Sequence, residues 1–357
     1  MSASTGGERA RQNLRFAVIG CGFWSRYQIE GWREVGGVDL VAVYNRTRSR
    51  AEETARRLGV PAVYDDAGAL LAKEQLDFVD IITDVDTHSQ FAQLAAANGV
   101  PVICQKPLAP DLRTAREMMR VCGEGGVPLL VHENWRWQHP IRELKRALLD
   151  PELGPVHRAR ITYANSFPVF DNQPFLRDLE QFILTDIGTH ILDTARFLFG
   201  EAHSLYCRTK RVNQGIRGED VATVMMEMDS GATVTCEMSY ASPVEHDRFP
   251  ETFVFVECAR GALELAPDFW LRVTRKGQGT LARRCPPPFY AWADPRYSVV
   301  HASIPACCAD LLRSLQTGDL AETCAEDNLK TLELVFGAYA SASGDRVLSA
   351  DELSALQ

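Results

Sequence analysis

The sequence predicts two domains, an α/β domain with a doubly wound parallel sheet followed by an α+β domain with a large open antiparallel sheet. Three observations carry this reading. The chain has 357 residues, more than one hydrophobic core usually serves. Its first third alternates uniformly apolar runs with helical stretches of about ten residues, the pattern of parallel βαβ units covered on both faces. Beyond about residue 135, strand-like runs instead follow one another across short turns, as antiparallel strands do.

The first domain is assigned to residues 1–134. Residues 14–20 (LRFAVIG), 38–44 (VDLVAVY), 78–83 (FVDIIT), 102–105 and 128–132 read as buried strands. Residues 26–35, 49–58, 67–73, 88–97 and 112–122 read as helices, the second closing on Gly59. The second domain, 135–357, opens with a helix over 141–149 and a strand over 157–163, then a long helix over 183–199. Strands are predicted over 204–212, 221–228, 232–240, 252–257 and 263–274, with a hairpin turn at Met228-Asp229-Ser230-Gly231-Ala232. The Gly- and Pro-rich stretch 277–295 reads as irregular. An open sheet needs a cover on its second face, which predicts a homodimer or homotetramer formed through it.

Apolar residues at 46% and charged residues at 24% place the chain among ordinary globular proteins. A net charge of −9, with scattered Lys and Arg, argues against nucleic acid or an anionic membrane as partner. Residues 1–15 lack an apolar core and no run reaches membrane-spanning length, so a cytoplasmic protein is expected. The ten cysteines include no CxxC pair and mostly sit in apolar runs, which predicts reduced, structural thiols.

Gly20-Cys21-Gly22-Phe23-Trp24-Ser25 follows the first strand and precedes a helix. Gly20 permits the tight turn, and Gly22 lets backbone N–H groups approach a pyrophosphate at a helix N-terminus. At the first βα crossing of an alternating domain, this turn marks a Rossmann dinucleotide site, although Ser25 stands at the third small position. The second strand ends in Asn45-Arg46-Thr47-Arg48. Asn45 can bond a ribose hydroxyl and the arginines can pair with a 2′-phosphate, so both NAD and NADP remain open.

Lys106 ends a strand at the carboxyl edge of the sheet, where ligands of such folds bind. Pro107 restricts it to extended geometry and admits a cis bond. Asp186 and His190, four apart in the predicted helix, would stack on one face, with Ile187, Ile191, Ala195 and Leu198 as the apolar stripe. A histidine beside a carboxylate suits proton abstraction from an alcohol as hydride leaves. The alternative is a helix start capped by Thr185 or Asp186, with His190 as a satisfied polar residue. No pairing of ligands at metal-site spacing is present, so no metal is expected. His88 reads as part of a helix start.

The Gly20-x-Gly22 turn, Gln105-Lys106-Pro107, Trp135-Arg136-Trp137 with Pro140, and Asp186-x-x-x-His190 occur in an order and spacing that resemble the Gfo/Idh/MocA oxidoreductases. The resemblance implies hydride transfer between NAD or NADP and a sugar or polyol. Lys106 would contact the nicotinamide ribose and the reacting hydroxyl, and His190 would act as base. Asp186 would orient His190 or hold substrate hydroxyls. Gly20, Gly22, Phe23, Trp24, Asn45, Arg46 and Thr83 would contact the cofactor. Two departures stand out: Gln105 replaces the usual Glu, and Thr83-Asp84-Val85 replaces Thr-Pro-Asn. The segments 133–138 (ENWRWQ) and 167–175 (FPVFDNQPF), with the Asp186 helix, are similar to the D-apiose dehydrogenases of that family, which oxidise a branched pentose to its lactone with NAD. Asn134, Arg136, Asn165, Asp171 and Asn172 are the implied hydroxyl-binding groups. Other readings are an inositol dehydrogenase, a keto-sugar reductase, or a dinucleotide-sensing regulator that catalyses nothing.

Overall fold

The computed structural model describes residues 13–244 and 249–356. Six short strands form the first sheet: β1 (Leu14–Ile19), β2 (Val38–Tyr44), β3 (Ala62–Tyr64), β4 (Phe78–Ile81), β5 (Val102–Gln105) and β6 (Leu129–His132). Their order is β3-β2-β1-β4-β5-β6 and every pairing is parallel. Chain direction across the sheet reverses between β1 and β4, and a crevice opens beyond their carboxyl ends. The sequence does not predict β3, whose three half-buried residues make an apolar run too short to mark a strand.

The second sheet has nine strands: β7 (Val156–Ala164), β8 (Ala202–Lys210), β9 (Val221–Met228), β10 (Thr233–Ser239), β11 (Phe253–Cys258), β12 (Gly261–Ala266), β13 (Trp270–Arg275), β14 (Gly279–Arg284) and β15 (Leu348–Ser349). Their order is β14-β13-β12-β11-β7-β10-β9-β8-β15. The expected antiparallel sheet is in fact mixed, because β7 and β10 run parallel at its centre. Residues expected to form one strand over 263–274 split into β12 and β13 around a turn at Pro267–Phe269, and β14 occupies part of the stretch read as irregular. The hairpin at Met228–Ala232 joins β9 to β10 as expected, with Gly231 at φ 81°.

Alternate residues of β9 (Ala222, Val224, Met226, Met228) are buried in one core with Ile191, Ala195 and Leu198 of the Thr189–Phe199 helix. The outer face leaves Met225 and Phe255 exposed. After β14 the chain returns to the first domain before adding β15 to the second sheet. Ile304, Cys307, Cys308, Leu311 and Leu312 of the Ile304–Thr317 helix share a core with Phe16, Val18, Ile29 and Trp32, and Val131 donates its N–H to Thr323 O at 2.8 Å beside β6. All ten cysteines are free thiols and nine are buried. Among the described residues, no helix is long and apolar enough to cross a membrane.

Candidate active site

A cleft of about 1240 Å³ runs between the carboxyl edge of the first sheet and the second domain. One end is built on the glycine turn. Gly20 has φ 111°, and a Cβ there would lie 2.5 Å from Ile82 O, so only glycine fits. A Cβ on Gly22 would meet nothing within 4 Å and would project into open space at the start of the Ser25–Val35 helix. That gap, bounded by backbone N–H groups, fits a pyrophosphate. Ser25 is buried and donates its hydroxyl to Gly22 O at 2.8 Å, closing the turn in place of a third glycine.

Gly20, Gly22, Phe23, Trp24, Asn45, Arg46 and Thr83 all line this end. Asn45 Oδ1 accepts from Cys21 N at 3.0 Å while its amide donates to Thr47 O at 3.0 Å, so this side chain also fastens the glycine turn to the end of β2. Arg48 points elsewhere, to Glu52 at 2.9 Å and Asp65 at 3.4 Å. Arg46 and Arg50 are the cations beside the end of β2 that line the cleft. His88 starts its helix as expected, and its buried ring lies within 3.2 Å of Thr83, Pro107 and Leu108 carbonyls, tying together the loops after β4 and β5.

At the base of the cleft, Lys106, Asp186 and His190 converge. The Lys106–Pro107 bond is cis. Lys106 Nζ lies 3.0 Å from the Asp186 carbonyl and 3.5 Å from its carboxylate, and Tyr240 donates its hydroxyl to Asp186 Oδ2 at 3.2 Å. Asp186 and His190 both line the cleft, but their side chains bond to different partners. Leu184–Gly188 forms a π-helical turn before the α-helix begins at Thr189, which offsets side chains that an unbroken α-helix would align. His190 Nδ1 instead faces Glu133 Oε1 at 2.6 Å.

Glu133 follows β6 directly, and its carboxylate also accepts from Trp135 N at 2.9 Å. The Trp135 ring stacks on His190, 4.3 Å between centroids and 22° between planes, and is held by a bond from its Nε1 to Thr252 Oγ1 at 3.0 Å. Burial, then the Lys106 charge, hold His190 well below the ordinary histidine value, against Asp186 and Asp193. Burial raises Glu133 to about 7, opposed by the Trp135 N–H and the charges of Lys106 and Arg136. An ionised Glu133 keeps the histidine hydrogen on Nδ1 and leaves Nε2 free to accept a proton.

The expected hydroxyl-binding set is mostly engaged elsewhere. Asn134 lines the cleft, but its amide donates to Val300 O at 3.2 Å and Ser303 Oγ at 2.8 Å. Arg136 is buried away from the cleft, bonded to Asp193 at 2.5 Å and Asp327 at 2.8 Å, because a buried guanidinium needs charged partners. Asn165 is buried and accepts from Phe167 N at 3.0 Å. Asp171 is exposed outside the cleft lining, and the side chain of Asn172 lies outside the described residues. Gln173, Glu180, Gln181, Thr185 and Tyr240 are further polar residues of the cleft lining. Glu133 and Tyr240 had no signal in the sequence, since their partners are 57 and 54 residues away.

Comparison with known proteins places the fold in a family. Residues 14–133 match the model of the oxidoreductase family with an NAD-binding Rossmann fold, and residues 141–264 match the GFO/IDH/MocA C-terminal domain. The chain is 42% identical to a D-apiose dehydrogenase of Paraburkholderia graminis, covering 96% of this chain and 92% of that protein. It is 38% identical to a D-apiose dehydrogenase of Rhizobium rhizogenes, covering 94% and 97%. Its fold is similar to the crystal structure of an oxidoreductase from Agrobacterium radiobacter in complex with NAD+, L-tartaric acid and magnesium, with a TM-score of 0.93, 38% identity, and coverage of 96% and 99%. The chain belongs to the Gfo/Idh/MocA family of NAD-binding oxidoreductases.

Proposed function

We propose that this enzyme oxidises D-apiose at its anomeric carbon to the lactone, with NAD as cofactor. The observation that carries the reading is the meeting of Lys106, Asp186 and His190 at the base of a cleft whose other end is a dinucleotide turn. When bound, the nicotinamide supplies the hydride acceptor. Lys106 directs its ammonium at the reacting hydroxyl and stabilises the oxygen as its proton departs. His190 Nε2 takes that proton, and Glu133 stabilises the imidazolium through Nδ1. Asp186 and Tyr240 hold the neighbouring hydroxyls. Gln173, Gln181 and Thr185 are proposed as further sugar contacts in place of Asn165 and Asp171.

NAD is favoured by the solved NAD+ complex of the similar oxidoreductase, while Arg48 is committed to Glu52 and Asp65. The protein is further proposed to act in the cytoplasm as a homodimer or homotetramer through the outer face of the second sheet. Its domains are proposed to divide at 134/135, with 304–324 returning to the first. The test is formation of reduced cofactor with a panel of aldoses, inositols and polyols, each with NAD and NADP. Turnover greatest with D-apiose and NAD is expected; turnover with inositols alone, or binding of dinucleotide without turnover of any sugar, would reject the reading.

A further inference from the structure

A buried carboxylate lies one strand away from the reacting groups and touches none of them. Asp80, in the middle of β4, is completely buried. Both its oxygens accept from Gln28 Nε2 at 2.8 Å, and Oδ2 also accepts from Trp32 Nε1 at 2.7 Å. Gln28 Oε1 then accepts from Gln105 Nε2 at 2.8 Å, and Gln105 Oε1 accepts from the backbone N–H of Lys106 at 2.8 Å.

The direction of this chain is fixed at both ends. The Lys106 N–H can only donate, so Gln105 must present its carbonyl oxygen to it and its NH₂ to Gln28. Gln28 must then present its own NH₂ to Asp80, where the Trp32 N–H also points. With donors arriving from both neighbours, Asp80 has to be an acceptor throughout, which is the ionised form. A proton or amide at position 80 would set donor against donor or reverse both glutamines, leaving the Lys106 N–H without its acceptor.

We propose that Asp80 is a positioning residue for Lys106, acting through the one-way hydrogen-bond chain of Gln28 and Gln105. The chain runs beneath the cofactor end of the cleft, where Gln28 and Gln105 contribute to the lining. Burial raises Asp80 to about 7, against the bonds from Trp32 and Gln28. The donors of Trp32 and Gln28 favour the anion over the neutral acid.

The test exploits the direction of the chain, and it rests on Lys106 acting at the reacting hydroxyl. In Gln105→Glu, the Gln28 carbonyl oxygen faces a second carboxylate. In Asp80→Asn, an NH₂ faces the donors of Gln28 or Trp32. In the double variant the Gln28 amide can flip, donating to the carboxylate introduced at position 105 and accepting from the amide introduced at position 80. That carboxylate still accepts from Lys106 N, and the carbonyl oxygen of the new amide still accepts from Trp32. Each single variant is expected to lower kcat with D-apiose and NAD at least ~10-fold with little change in sugar KM, and the double to recover to within ~3-fold of the parent. Thermal midpoints should show the same recovery. Losses in kcat that multiply in the double variant would overturn the proposal, as would recovery of the midpoint alone, which marks a purely structural role. Should Asp80→Asn not fold by itself, the double variant against Gln105→Glu decides: recovery supports the chain and an equal or deeper loss rejects it. Lys106→Ala separates the premise, since normal turnover by that variant would reject the active-site reading while the midpoints still report on the chain.

Discussion

At the scale of single residues, the candidate site depends on which partner each titratable group has. His190 can serve as base only with Nε2 unprotonated, and Glu133, raised to about 7 by burial, decides where the imidazole hydrogen sits. Above that value the carboxylate accepts from Nδ1–H and Nε2 is free; below it the shared proton removes that acceptor. In the oxidising direction kcat/KM should therefore fall as the pH drops through about 7, an apparent value belonging to the Glu133–His190 pair. Glu133→Gln should abolish this limb and lower kcat by roughly one to two orders of magnitude; a pH profile in which the limb persists would assign it elsewhere. Lys106→Ala should lower kcat by roughly two to four orders of magnitude, as expected for loss of a group acting in the transition state. Lys106 was legible in the sequence because it ends a strand at the sheet's carboxyl edge, and so was His190. Glu133 was not, because its function comes from a contact that only the folded chain creates.

At the scale of elements, the π-helical turn at Leu184–Gly188 sets the geometry of the cleft. It presents the Asp186 carbonyl to Lys106 Nζ at 3.0 Å and leaves the His190 ring to pair with Glu133. Its start is fastened by buried Glu219, whose carboxylate accepts from Phe182 N at 3.2 Å, Leu184 N at 3.1 Å and the Tyr339 hydroxyl at 2.6 Å. Glu219→Ala strands these donors and should cost about 2–4 kcal/mol in denaturant unfolding, with a raised sugar KM. An unchanged midpoint and KM would show that the turn holds without it. The apolar spacing of Ile187, Ile191, Ala195 and Leu198 suits an unbroken α-helix as well as one with an inserted π turn, so the sequence could not reveal the turn. The strand β14 escaped for a different reason, since all six of its residues are exposed and lie within a Gly- and Pro-rich stretch. The central parallel pairing of β7 with β10 is likewise a matter of topology, which strand-like runs joined by short turns leave open.

At the scale of the whole molecule, the return of Ile304–Thr317 to the first domain joins the two halves of the cleft. Leu311 is completely buried in a core shared with β1 and the Ser25–Val35 helix. Leu311→Ala should destabilise the protein by ~2–5 kcal/mol. Tryptophan fluorescence and far-ultraviolet circular dichroism should still report one coincident transition, and two separated transitions would mean that the domains unfold independently. The overall plan, a parallel domain followed by a largely antiparallel one, was legible from the switch between uniformly apolar strands and turn-linked strands. The mutual placement of the domains was not, because it depends on a C-terminal helix packing onto elements nearly three hundred residues earlier. In the proposed reaction the sugar loses a hydride from its anomeric carbon and a proton from the hydroxyl on it, with His190 as base. This is tested most directly by following reduced-cofactor formation from D-apiose and NAD with the parent enzyme and His190→Ala. Steady turnover by the parent is expected, with a loss of roughly two to four orders of magnitude in kcat for the variant and dinucleotide binding retained; equal rates for the two proteins would rule out His190 as the base.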